Sequence, residues 1–146
     1  MADIVTQIAA GVADELNNAP AETFSLAFEA QRLYRPTFEL EDLEGLTVSV
    51  VPKGINEEIV SRRAVREEVQ VDVAVQKKLQ AADNAEIDAL VNLVREIVGF
   101  FRFRVLATCP DALWVRTENV PLYSVEHMDR YRVFTSVITL SYRVIG

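Results

Sequence analysis

One cysteine, Cys109, and one histidine, His127, are the whole supply of thiol and imidazole in 146 residues. A lone cysteine closes no internal disulfide, and the chain has no Cys/His zinc spacing; both suit a reducing cytosol. The five glycines, Gly11, Gly45, Gly54, Gly99 and Gly146, are scattered. They build neither a glycine-rich phosphate cradle nor a dinucleotide fingerprint. No apolar run approaches the ~18 residues of a membrane span. Residues 1–20 carry Asp3, Asp14 and Glu15 and lack a basic start, so a signal peptide is not expected. Basic side chains are in deficit too: 15 against 22 acidic ones leave a net charge of −7, which argues against a protein that grips nucleic-acid phosphates.

Apolar residues, by contrast, make up 50% of the chain, enough for one ordinary domain with a substantial core, and residues 1–146 are read as a single unit. Ile4, Ile8, Val12 and Leu16, with Val5 and Ala9 beside them, form one stripe of a helix over residues 3–17. Asn17-Asn18-Ala19-Pro20 stops it. From Phe24 the period becomes two, with Phe24, Leu26, Phe28 and Ala30 on one side, which predicts a half-buried strand. Pro36 interrupts, and Glu39, Glu41, Asp42 and Glu44 read as a solvated acidic loop, lacking the spacing of a calcium loop. Leu46, Val48 and Val50 form the next strand, which Val51-Pro52-Lys53-Gly54 is expected to end. Val69, Val71, Val73 and Val75 alternate with polar partners in the clearest strand. Asp83 then caps a second helix with Glu86 three residues on, and Ile87, Leu90, Val91, Val94, Ile97, Val98 and Phe101 give that helix its core stripe. A short strand is expected around 113–116, a single helical turn over 124–129, and a long strand from Phe134 through Ile138, Leu140, Tyr142 and Val144. The economical arrangement is α+β: a mostly antiparallel sheet with two main helices packed on it.

The segment that fails to read as core is 55–66, within a charged excursion at about 53–67. Its mixed charges suit a solvated connection, a projecting loop, an extended hairpin arm or a short exposed helix. Arg62, Arg63 and Arg66 are dense here, and Glu57, Glu58 and Glu67 lie beside them. These six residues are the candidate subunit-contact residues, arginines of one copy meeting carboxylates of a neighbour. Isolated surface ion pairs contribute only ~0–1 kcal/mol, so apolar anchors must accompany them.

Candidate chemistry is thin. Ser124, His127 and Asp129 are the residue types of a nucleophilic triad, but they lie within six consecutive positions and do not readily adopt its linear relay. Cys109 with His127 lacks an orienting third group. Arg102 and Arg104 interleave with Phe101 and Phe103 as on a nucleic-acid surface. Phe101, however, continues the core stripe, and the arginines suit a helix C-terminus. No catalytic, cofactor-binding or metal-binding residue is assigned, and no cofactor is expected.

The order of helix, strand, Leu46-Thr47-Val48-Ser49-Val50-Val51-Pro52-Lys53-Gly54, charged excursion, valine-rich strand, long helix and terminal Phe134-Thr135-Ser136-Val137-Ile138-Thr139-Leu140-Ser141-Tyr142-Arg143-Val144 resembles small phage tail-completion proteins. The tail terminator family is the nearest class, and the resemblance covers nearly the whole chain as a matter of layout. It implies a virion assembly protein that forms a homohexameric ring on the tail tube, ends tube polymerisation and meets the head-side connector. It also implies assembly in the host cytoplasm, residence in the tail or neck of the virion, and no membrane. DNA would traverse the ring without specific binding, and acidic charge suits such a channel. Rival readings are a head–tail connector or stopper, a monomeric α+β ligand-binding module with an apolar groove between helix and sheet, and, third, an enzyme built on His127 or a carboxylate pair.

Overall fold

The computed structural model describes residues 3–34 and 45–145, with the side chain of residue 145 outside the description. The expected acidic loop at Glu39, Glu41, Asp42 and Glu44 lies outside the described residues. In chain order the elements are α1 (Ile4–Asn17), β1 (Ala30–Arg32), β2 (Thr47–Ile59), β3 (Val65–Lys78), α2 (Asn84–Phe101), β4 (Leu113–Glu118), α3 (Val125–Tyr131) and β5 (Val133–Ile145). The five strands form one sheet in the order β1-β2-β3-β5-β4. Every pairing is antiparallel except that of β1 with β2. The fold is α+β.

Each helix starts where its sequence offers an acceptor. Asp3 takes the N–H of Val5 at 3.0 Å, Asp83 that of Glu86 at 3.0 Å, and Ser124 that of His127 at 3.2 Å. These side chains satisfy N–H groups that a first helical turn leaves without intrahelical partners. Helix α1 then buries Ile8, Val12 and Leu16, and α2 buries Leu90, Leu93, Val94, Ile97 and Phe101. Gly11 permits close approach of α1 to the loop between α2 and β4: a Cβ there would stand 2.9 Å from the Thr108 hydroxyl.

Strand register decides what the helices cover. Val48, Val75 and Ser136 form one cross-strand row, Val50, Val73 and Ile138 the next, then Val71 with Leu140 and Val69 with Tyr142. All are buried in the shared core apart from Ser136, which is buried as a polar group. Burying such a side chain stabilises by ~1.5–3 kcal/mol, so this face dominates the fold's energy. The opposite face bears no helix from α1 or α2 and is mixed: Ser49, Asp72, Gln76, Thr135, Thr139 and Ser141 share it with Val51, Ala74 and Val137.

Two strand expectations change. Phe24, Leu26 and Phe28 alternate with exposed residues as expected, yet only residues 30–32 join the sheet. The reason is a competing partner. Phe24 packs against Phe28 and Phe100, and the Glu96 carboxylate takes both the Ser25 N–H at 3.0 Å and its hydroxyl at 2.9 Å, so this stretch rides on α2. Conversely, Pro52-Lys53-Gly54 does not end β2. A register shift between Pro52 and Gly54 absorbs the irregularity, and the strand continues to Ile59.

Candidate functional site

The charged excursion is the far half of a β-hairpin. Residues 55–59 of β2 pair in register with residues 65–69 of β3, and the turn between them is closed by Val60 N–H to the Ala64 carbonyl at 3.0 Å and Ser61 N–H to the same carbonyl at 3.3 Å. Strand alternation splits the six candidate contact residues into three groups. Glu58 lies opposite Arg66, and the two form an ion pair within the chain on the face away from α1 and α2. Glu57 lies opposite Glu67 on the other face, in a row completed by Val144 of β5. Arg62 and Arg63 occupy the turn, both exposed. Arg66 and Glu58 are thus brought together inside one subunit; Glu57, Glu67, Arg62 and Arg63 make no ion pair among the described residues.

Around the Glu58–Arg66 pair, this face forms a cleft of about 460 Å³ also lined by Glu68, Arg116 and Arg143. Arg116 of β4 pairs with Glu68 of β3 and approaches Glu118 at 3.5 Å. The Nε of Arg143 is buried there without a hydrogen-bond partner. Sequence reasoning missed Glu68, Arg116 and Arg143. They sit on three strands far apart in the chain, and only the register that sets Glu68 opposite Arg143 and, past a bulge in β4, Arg116 opposite Ser141 places them together. The cleft is charged rather than apolar, unlike the groove a small-ligand module typically offers. Nearer the other end of the same face, Thr139 donates to Asp72 at 2.6 Å and accepts from Lys53 at 3.5 Å.

The residues weighed for chemistry are otherwise engaged. The Ser124 hydroxyl caps α3 by accepting the His127 N–H, while the His127 ring lies 2.8 Å from the Thr135 hydroxyl and edge-on to Tyr131. No serine–histidine relay is formed. Cys109 is buried, and burial, with Asp111 nearby, pushes its thiol pKa up, away from the thiolate. Arg104 does not reach for a nucleic acid: its guanidinium lies over Phe100 at 3.8 Å and donates to Glu15 at 2.7 Å. Among the described residues no three His, Cys, Asp or Glu side chains gather as metal ligands, and no helix is long and apolar enough to cross a membrane.

Exposed large apolar side chains gather in two places. Ile55, Ile59 and Val60 lie on the hairpin end, and Phe103, Val105, Leu113, Val120 and Leu122 border the chain from the end of α2 to just beyond β4. Phe103 is held edge-on to Trp114 at 5.2 Å between ring centres.

No protein-family model and no curated protein sequence matches the chain. Solved structures do. The fold is similar to that of a chain in the virion of a native gene transfer agent particle, with a TM-score of 0.66 and 15% identity, over 99% of this chain and 100% of that one. A second similar chain belongs to the sheath/tube terminator of an extracellular contractile injection system in its extended state. There the TM-score is 0.49 and the identity 15%, and this chain, matched over its full length, spans 58% of the other.

Proposed function

We propose that this protein is a structural component of a phage-like tail, which caps the tail tube as a ring, ends tube polymerisation and forms the joint to the head-side connector. The observation that carries the reading is the whole-chain similarity of fold to a chain of a gene transfer agent virion. The order of elements that resembles tail terminators supports it from the sequence side. So does the surface, where charged and apolar side chains meet on a hairpin that the subunit's own helices leave uncovered.

In this reading the chain acts as one domain whose arm, residues 53–67, is a contact element. Copies associate head to tail into a closed ring, a hexamer to match a six-fold tube. The net charge of −7 lets DNA pass without adhering, since like charges repel at close range. The partners are other copies of the chain, the tube protein and the connector; the work is done in the host cytoplasm and the product stays in the virion. No catalytic step is required.

The test is absolute mass by light scattering across a concentration series, with electron microscopy of the protein alone and on tail tubes. The expected result is a ring of about six times 16.4 kDa, found free or at one end of the tube. A protein that forms no ring in either setting removes the reading. A ring that binds the connector but never a tube end identifies a connector or stopper instead.

A further inference from the structure

The hairpin end carries two uncompensated charge doublets of opposite sign. Glu57 and Glu67 are direct cross-strand neighbours, a placement that is destabilising for like charges. Their partner-bearing neighbours, Glu58 and Arg66, neutralise each other on the opposite face. Apolar side chains frame the carboxylates: Ile55 and Ile59 on the same face of β2 are 53% and 81% exposed, and neither α1 nor α2 covers them. One turn away, Arg62 and Arg63 stand beside Val60, itself 51% exposed. Within one subunit the two doublets do not meet.

We infer that the hairpin turn of one copy docks on the Glu57–Glu67 ledge of the next, with Arg62 and Arg63 against the two carboxylates and Val60 against Ile55 and Ile59. The inference rests on the ring reading and names its contact. A second copy of this chain is the occupant because the charges balance within the chain itself, two cations against two anions. Head-to-tail repetition uses one turn and one ledge per copy and leaves neither over when the ring closes. The apolar frame supplies the dry surroundings in which such pairs strengthen, and it contributes to the roughly 1,000 Å² that a specific interface needs.

Two complementary variants test it: Glu57→Arg with Glu67→Arg, and Arg62→Glu with Arg63→Glu. Each alone should weaken self-association at least tenfold while the subunit keeps its melting behaviour. Mixed in equal amounts they should reassemble, because each variant's turn then meets a ledge of opposite charge. A milder pair, Glu57→Gln with Glu67→Gln, should raise the subunit's melting temperature by removing the cross-strand repulsion and still weaken assembly. Rings that persist unchanged in both reversal variants overturn the contact and leave the ring reading standing. Failure of the mixture to reassemble overturns it as well. Reassembly that stops at two copies upholds the contact and sinks the ring, and a wild-type chain that never associates removes both.

Discussion

Glu86 shows how much one side chain organises. Its carboxylate accepts the backbone N–H groups of Gln80, Ala81 and Ala82 at 2.8–3.1 Å and the Lys77 ammonium at 2.8 Å. It thereby ties the end of β3 to the start of α2. Burial alone would raise its pKa, but Lys77 and the backbone donors outweigh burial and hold it at about 2. A depressed carboxylate contributes stability that is complete above its unfolded pKa, near 4.5, and is lost as pH falls toward 2. Glu86→Ala should therefore cost about 2–3 kcal/mol at neutral pH, as charge-assisted bonds do when removed. Its stability should change less than wild type between pH 4.5 and 2; chemical denaturation at several pH values reads both. Glu15 offers a parallel case. It bonds Arg104 at 2.7 Å and the Ala107 N–H at 3.2 Å, joining α1 to the chain beyond α2. Arg104→Ala should cost more than a surface pair does, about 2–3 kcal/mol, because a mostly buried carboxylate loses its cation. An equal melting temperature would show the pair to be idle.

At the scale of elements, β1 is the weakest attachment and therefore informative. It has three residues, and the Asn17 side chain at the end of α1 clamps it, donating to the Ala30 carbonyl at 2.9 Å and accepting the Ala30 N–H at 2.8 Å. Asn17→Ala should release β1 locally, raising amide exchange at Ala30 and Gln31 with little effect on Val71 or Val73 in the central strand. This residue also shows where sequence reading stops. Asn17 was legible as a helix stop, but its second role depends on a strand thirteen residues later. The two helices, the valine strand and the terminal strand were legible because each carries its own periodicity and, for α2, its own cap at Asp83. Residues 24–28 were misread because alternation reports burial, and burial against α2 looks the same in sequence as burial in a sheet. The proposed contact residues Arg62 and Arg63 were visible as charge density. That Arg66 would turn to Glu58, leaving Glu57 with Glu67, depended on register across a bulge at Pro52–Gly54 that no local pattern announces.

For the whole molecule, electrostatics acts over two distances, and salt separates them. Each chain carries −7, so copies approaching one another repel at long range. The proposed contact places opposite charges side by side, within a few ångströms and flanked by Ile55, Ile59 and Val60. Screening length is roughly 10 Å at 0.1 M salt and roughly 3 Å at 1 M. Moderate salt therefore removes the long-range repulsion first and leaves the close pairs largely intact, whereas molar salt weakens the pairs too. Assembly should rise from very low salt to about 0.15 M and fall again toward 1 M, a maximum that light scattering at fixed protein concentration will reveal. A contact held by apolar burial alone predicts a different curve, one that strengthens monotonically with salt because nothing favourable is screened. In the Arg62→Glu, Arg63→Glu variant the falling limb should disappear along with the pairs that cause it, so the shape of the curve, not just its height, reports on the hairpin.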